Sequence, residues 1–479
     1  MKSESLKSKI FSGLFWKFGE RITAQLISLV VSIILARILS PNDYGAVALV
    51  MVFITIANVF VSSGLGNALI QKESADELDF SSIFLINIAI AVILYFIIFI
   101  SAPYIASFYN MEILKPVLRV LGIRIIIAAI NSVQQAYVSK HMLFKRFFWS
   151  TLFGTLISGI VGVILAYKGF GVWALVAQYL TNVCTDTLVL WFTVRWRPTK
   201  QFSWDRTLTL IQYGWKILVS SLLDTGYKQL RSLIIGKKYS SSDLAYYNQG
   251  DKYPSLIVIN INASISSVLF PALSMYQNDR ERVKQMTRRA IQVSSFLLWP
   301  MMIGFGVVAE PLISILLTDK WLPCVPYIRI FCFTYGLWPI HTANLQAINA
   351  LGRSDLYLKL EIIKKIIGVI AILISMQFSP LIMAGSLIIT DIIATVINAY
   401  PNTKLLNYTL LEQLKDMITS LILSCIMAVV IWPISLISIP DIMVLLLQVL
   451  IGGVVYVGLA FATKQPAMRY LIDTIRDNK

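Results

Sequence analysis

What most constrains this chain is a series of about fourteen apolar runs long enough to cross a bilayer, several of them carrying Lys, Arg or Asp within the run. A hydrocarbon core about 30 Å thick takes roughly 20 helical residues, and the runs at 82–102, 290–317 and 442–463 reach that length. Lipid offers no hydrogen-bond partner to bare backbone, so only helices or closed barrels span it, and these continuous runs lack the alternation of barrel strands. An all-α membrane protein follows. With 57% hydrophobic and 14% charged residues, a chain of 479 residues has too little polar surface to clothe a soluble particle.

The pattern predicts spans at 14–38, 44–64, 82–102, 117–138, 150–168, 171–194, 211–235, 254–275, 290–317, 327–350, 356–378, 380–400, 416–438 and 441–463. The links are short, and none is long enough for a soluble catalytic domain. Met1 to Lys9 is polar and basic, so Phe11 onward reads as a first span without a cleaved signal. Cytoplasmic links retain Lys and Arg during insertion. With the N-terminus cytoplasmic, the even-numbered links and both tails hold about 23 Lys and Arg against about 7 in the odd-numbered links. The main clusters are Lys140, Lys145 and Arg146, then Arg195, Arg197, Lys200 and Arg206, then Arg280, Arg282, Lys284, Arg288 and Arg289. Glu73, Asp76, Glu77 and Asp79, after the second span, run against the bias. Insertion and contact with anionic inner-leaflet lipid account for most of the net charge of +16, with no need for nucleic acid. The four cysteines, Cys184, Cys324, Cys332 and Cys425, form no C-x-x-C pair. Neither a metal nor a cofactor is expected.

An internal duplication is the second strong signal. Residues 36–45, Ala-Arg-Ile-Leu-Ser-Pro-Asn-Asp-Tyr-Gly, match residues 236–245, Gly-Lys-Lys-Tyr-Ser-Ser-Ser-Asp-Leu-Ala, and Gln135-Ala136 before a basic link is echoed by Gln346-Ala347 before Gly352-Arg353-Ser354-Asp355. Two six-helix lobes are implied, 1–200 and 201–403, with residues 404–479 adding two more spans and a cytoplasmic tail. Because both repeats begin on the same side, a pseudo-two-fold axis along the membrane normal relates them.

Gly13-Leu14-Phe15-Trp16, the stretch 35–45, Gly64 to Lys72, Leu269-Phe270-Pro271-Ala272-Leu273-Ser274 and Ala350 to Asp355 are together similar to the polysaccharide-transporter branch of the multidrug/oligosaccharidyl-lipid/polysaccharide flippase superfamily. The chain resembles colanic-acid, teichuronic-acid and O-unit exporters of bacteria over nearly its whole length. The resemblance implies a multi-pass protein of the bacterial cytoplasmic (inner) membrane with both termini cytoplasmic. Its implied task is to move undecaprenyl-diphosphate-linked oligosaccharide outward for lipopolysaccharide or exopolysaccharide synthesis by alternating access through a cationic central cavity. The implied partners are that lipid-linked oligosaccharide, membrane lipids, and glycosyltransferases and a polymerase of the same pathway.

Such cargo needs a wet, cationic path for its diphosphate. Each charge held at mid-bilayer costs roughly 2.5–3.5 kcal/mol on insertion scales, so retained charges face a cavity or a partner. The substrate-binding candidates are Lys17 and Arg21 in the first span, Arg119 and Arg124 in the fourth, Lys228 and Arg231 in the seventh and Arg329 in the tenth. Arg21 and Lys228 stand foremost, because the first and seventh spans are repeat equivalents. The plainer reading stays beside each: Lys17 with Glu20 and Asp224 with Lys228 have the spacing of local ion pairs, and Arg119, Lys216 and Arg329 sit near span ends where snorkelling is usual. Asp391, Asp186 and Asp224 are the candidates for ion coupling, a helix–helix hydrogen bond being the plain alternative. His341 reads as a packing histidine or a proton relay, and Glu361 with Lys365 as an interfacial pair or part of an entry patch. Pro254, Pro271, Pro300, Pro311, Pro339 and Pro433 each remove a helical hydrogen bond, as kinks do.

Two other classes are weighed. A multidrug or cation antiporter of the related branch favours an acidic cavity, against the excess of intramembrane Lys and Arg. A membrane polymerase or ligase needs catalytic groups on a large outer loop, and neither such a loop nor an H-E-x-x-H, G-x-S-x-G or phosphate-cradling glycine motif is present.

Overall fold

Long helices separated by tight links make up the computed structural model, which describes residues 6–62 and 64–477, with side chains over 16–62, 64–470 and 472–473. Gly13, Leu14 and Phe15 therefore contribute backbone only, and most of the polar Met1–Lys9 stretch lies outside the described residues. The chain forms two compact units, 1–245 and 246–479. The first holds α1 (Leu6–Ile38), α2 (Pro41–Ser62), the short α3 (Leu65–Gln71), α4 (Glu77–Tyr109), α5 (Leu114–Lys140), α6 (Phe144–Tyr167), α7 (Val172–Thr193) and α8 (Trp204–Lys238). Helix α9 (Ser241–Met275) starts at its end and runs into the second unit. That unit continues with α10 (Arg280–Leu317), a 3-10 turn (Asp319–Cys324), α11 (Val325–Gly336), α12 (Trp338–Ala350), α13 (Ser354–Ser375) and α14 (Pro380–Leu405). After these come α15 (Leu410–Ile431), a second 3-10 turn (Trp432–Leu436), α16 (Asp441–Ala462) and α17 (Pro466–Asp477).

Each span expected from the sequence is occupied by helix, no strand occurs among the described residues, and ten helices are long and apolar enough to cross a membrane. The fold is an all-α, multi-pass membrane architecture. Its helices outrun their apolar stretches, because hydropathy marks where a helix meets lipid whereas the hydrogen-bond ladder ends at a cap. Helix α9 shows this most clearly, starting at Ser241 and not at the apolar run from 254. The expected tenth span is two helices broken at Leu337. Pro339 withdraws a backbone donor there, and the buried indole of Trp299 packs so closely that a Cβ on Gly336 would lie 2.5 Å from it. Pro433 ends α15 in a 3-10 turn, whereas Pro254, Pro271, Pro300 and Pro311 stay within their helices.

The duplicated motif forms two copies of one cap. At the start of α2, Ser40 Oγ donates to Asp43 Oδ2 at 2.6 Å while the Asp43 amide donates back to Ser40 Oγ at 3.2 Å. At the start of α9 the same pair, Ser240 and Asp243, bonds at 2.7 and 3.1 Å. The Ser40 and Ser240 amides also donate to Oδ2 of Asp43 and Asp243, each at 3.1 Å, so the reciprocal arrangement satisfies two orphan backbone donors at each helix start. Within the first unit the two caps abut. Ser241 and Ser242 hydroxyls donate to Asn42 Oδ1 at 2.9 and 2.6 Å, and a Cβ on Gly45 would fall 1.8 Å from the Ser241 carbonyl oxygen, so only glycine permits this approach.

The acidic link that ran against the charge bias is neutralised in place. Lys72 Nζ holds both carboxylate oxygens of the fully buried Asp79 at 2.7 and 2.8 Å. Asp76 caps α4 and receives Arg206 at 2.5 Å. The Arg206 hydrogen bond, followed by the Asp79 amide, holds the Asp76 carboxyl below its usual range. Its contribution is complete above the unfolded carboxyl pKa of about 3.9 and is lost as pH falls through the lower native value. Arg206→Ala should therefore flatten the pH dependence of stability below about pH 4 in thermal-unfolding series. Asp79→Asn, which strips Lys72 of its counter-charge, should cost about 3 kcal/mol, since removing one member of a buried pair leaves the other uncompensated.

Candidate functional site

Arg124 is an intramembrane cation with no acidic partner among the described residues. It lies ten residues after Leu114 in α5, about 15 Å along the helix and so near the bilayer midplane. Its guanidinium is half-buried, 5.6 Å from the ring centroid of Tyr179 on α7 and 3.6 Å from the sulfur of Met51 on α2. No carboxylate pairs with it among the described residues. The aromatic face and the thioether steady the side chain without neutralising it.

The second unit carries the repeat-equivalent position with inverted chemistry. Asp251 follows Ser241 in α9 by the same ten residues that separate Met51 from Pro41, and Tyr335 stands ten residues into α11 as Arg124 does in α5. The pair meets in the same way: the Tyr335 hydroxyl donates to Asp251 Oδ1. Asp391, eleven residues into α14, is near enough for its charge to act on Tyr335. Gln249, 3% exposed, has neither side-chain amide atom partnered among the described residues, and half-buried Lys252 adds a cation one residue from Asp251. Asp251 and Lys252 escape the sequence reading, because hydropathy opens the span at 254 and makes the residues before it a link, and Tyr335, within the span at 327–350, carries no charge to single it out. The Ser240–Asp243 cap, already visible as a copy of Ser40–Asp43, was the signal that α9 begins earlier.

The other candidates fall into distinct settings. Lys17 and Arg21 are exposed on α1; Lys17 Nζ lies 5.6 Å from the Phe144 ring, and Arg21 has no ion pair among the described residues. Glu20, between them, turns the other way and accepts from Thr151 Oγ1 at 2.9 Å. Asp186 on α7 accepts from Asn131 Nδ2 at 2.5 Å and is near enough for its charge to act on Glu20, so the two acids share one polar region of the first unit. Lys228 and Asp224 form an i,i+4 ion pair at 2.7 Å with both side chains well exposed. Arg231, a turn further on, is 5% exposed, away from open space. Arg119 stacks 4.2 Å over the Phe99 ring and donates to the Phe99 carbonyl at 3.3 Å. Arg329 donates to the Gly306 carbonyl at 3.2 Å and lies 3.7 Å from Glu310. The structure thus brings Lys17 and Arg21 together, pairs Lys228 with Asp224, and leaves Arg119, Arg231 and Arg329 in separate places.

Two further readings resolve. Both ring nitrogens of His341 are engaged, by Asn398 Nδ2 at 2.8 Å and Thr395 Oγ1 at 3.3 Å, as in a packing histidine. Glu361 pairs with Lys364 at 2.5 Å, i,i+3. Among the described residues no cluster of His, Cys, Asp and Glu is arranged to hold a metal ion, and all four cysteines are free.

A family model described as polysaccharide biosynthesis protein matches residues 34–326, more than half of the chain. The chain is similar to the succinoglycan biosynthesis transport protein ExoT of Rhizobium meliloti (strain 1021), with 26% identity over 321 residues, 67% of this chain and 65% of that one. It is similar also to the teichuronic acid biosynthesis protein TuaB of Bacillus subtilis (strain 168), with 25% identity over 358 residues, 74% of this chain and 73% of that one. The chain therefore spans just under two thirds of the length of ExoT. Among solved structures, the lipid II flippase MurJ in an inward closed conformation superimposes with a TM-score of 0.76 at 16% identity, covering 96% of this chain and 100% of that one. At that identity the likeness is one of fold.

The exposure differences are measurable. In a background with all four cysteines replaced, Arg21→Cys and Lys228→Cys should react with a water-borne charged thiol reagent at least about tenfold faster than Arg231→Cys, since thiolate access governs the rate.

Proposed function

From the premise that this chain belongs to the polysaccharide biosynthesis protein family, we propose that it flips an undecaprenyl-diphosphate-linked oligosaccharide from the inner to the outer leaflet of the bacterial cytoplasmic membrane. It is a transporter and not an enzyme. Both termini lie in the cytoplasm, as the Lys and Arg distribution over the links favours.

The single observation that carries the reading is Arg124, a mid-membrane guanidinium held by a ring and a thioether and paired with no acid. A cation retained at that depth at a cost of several kcal/mol needs a counter-charge, and an anionic cargo supplies it transiently where a structural carboxylate would supply it permanently. A diphosphate suits the planar fork of Arg, which binds phosphate oxygens in pairs. Lys17 and Arg21, exposed toward the cytoplasmic end of α1, meet the diphosphate first. Lys228 takes part by exchanging Asp224 for phosphate. Arg119, Arg231 and Arg329 serve packing and anchoring.

Transport proceeds by alternating access. The contact of Asn42 and Gly45 with Ser241 and Ser242, where two helix N-termini of the first unit meet, is the outer seal, and its parting releases cargo. The two repeats, 1–200 and 201–403 with 404–479 appended, are the bodies that rearrange. Energy enters through half-buried acids: Asp251 and Asp391 in the second unit and Glu20 with Asp186 in the first are the groups whose proton or cation occupancy changes over the cycle. Glycosyltransferases and a polymerase of the same pathway supply and consume the cargo.

Arg124→Ala should cut surface polysaccharide at least about tenfold, with normal protein in the membrane and lipid-linked oligosaccharide accumulating on the cytoplasmic leaflet, as loss of a charge-assisted contact predicts. Arg124→Lys should restore part of it. Full export by Arg124→Ala, or by Arg21→Glu combined with Lys228→Glu, would remove these residues from the path. Gly45→Leu should keep the outer seal from closing, making a cysteine at position 42 accessible from outside in every state.

A further inference from the structure

A cleft in the second unit, on the side expected to face the outer leaflet, has a composition that none of the foregoing uses. It lies where α10 and α11 meet the turn between α15 and α16, and it has two compartments of about 340 and 420 Å³ that share Val307, Arg329 and Trp432. The deeper compartment is apolar, walled by Met302, Ile303, Cys332 and Phe333. Gly306 forms part of its wall, and its carbonyl holds the Arg329 Nε at 3.2 Å. The outer compartment is polar, its lining including Glu310, Ser314, Ser435 and Asp441 as well as Arg329.

We propose that this cleft binds one phospholipid with a phosphoethanolamine headgroup, its phosphate on Arg329, its ammonium between Glu310 and Asp441, and an acyl chain along Met302, Ile303 and Phe333. Arg329 is held through Nε, and its contact with Glu310, at 3.7 Å, is longer than a hydrogen bond, so the outer edge of the fork is open to phosphate. Its side chain is 51% exposed and that of Glu310 is 67% exposed, so neither is committed to the interior. The charge balance selects the ligand. One cation and two carboxylates in the same lining complement a headgroup carrying one phosphate and one ammonium, whereas an anionic headgroup or a polyprenyl diphosphate would meet two like charges. A primary ammonium can also donate hydrogen bonds to both acids, which a quaternary choline cannot. Trp432, common to both compartments, is placed where indoles favour the boundary between headgroup and acyl chain. The bound lipid would fasten the α15–α16 hairpin, which lies outside the duplication, to α10 and α11. This proposal does not depend on the identity of the cargo.

The test uses the full-length protein in nanodiscs of phosphatidylethanolamine, phosphatidylcholine or phosphatidylglycerol at fixed acyl composition, with retained lipid counted by native mass spectrometry after transfer to detergent. The wild type should retain one phosphatidylethanolamine at least fivefold over either other lipid and show a higher Tm with it. Glu310→Gln combined with Asp441→Asn should lose the preference over phosphatidylglycerol while keeping lipid bound, and Arg329→Gln should lose retention. Each variant's Tm in lipid-free detergent separates loss of the site from misfolding, and the acid variant tests headgroup choice even if Arg329→Gln fails to fold. Equal retention of all three lipids, a preference untouched by the acid substitutions, or displacement of phosphatidylethanolamine by a polyprenyl diphosphate would overturn the proposal.

Discussion

A charge placed in hydrocarbon must be answered, and the way each is answered sorts this protein's ionisable residues into structure and function. Asp416 shows the structural solution: its carboxylate, 5% exposed, takes Arg288 at 2.8 Å, Gln292 at 2.7 Å and the Tyr408 hydroxyl at 2.8 Å. At the start of α4, before its apolar run, Lys72 answers the buried Asp79 in the same way. Arg124 departs from this rule. Its neighbours orient the guanidinium and leave its charge standing, at a depth where that costs most. An anionic cargo would complement that charge transiently, where a structural carboxylate would do so permanently.

Duplication gave the protein two copies of one frame, and divergence loaded them differently. The caps Ser40–Asp43 and Ser240–Asp243 superimpose in chemistry almost bond for bond, as expected of a device that only has to start a helix. Ten residues deeper the copies part company, Met51 against Arg124 in one and Asp251 against Tyr335 in the other.

The helices were legible wherever apolar length alone decided, and their ends were not. Hydropathy places α9 from 254, because Asp251 and Lys252 resemble a link; the cap at Ser240 shows that the ladder runs through them. The break at Leu337 depends on Trp299, which approaches Gly336 from another helix and leaves no mark in the local pattern. Of the site, the residue types and their spans were legible, while their settings were not. Lys228 and Asp224 read as a local pair from their spacing alone, since i and i+4 share a helix face. Arg124 and Arg119, five residues apart on α5, look equivalent as letters, yet one stacks on Phe99 beside its carbonyl and the other stands without an acid.

What the sequence by itself determined is the solvent, the element type, the number of spans and the repeat. Each of these follows from the dehydration cost of the backbone and from periodicity along the chain. What only the tertiary structure decided is which charges are answered by an acid or a base and which stand without one among the described residues. That depends on side chains brought together from helices distant in sequence: Met51 and Tyr179 around Arg124, Asn131 on Asp186, Tyr335 on Asp251. Coulomb and dehydration energies are set by distances in space, and a linear pattern does not contain those distances.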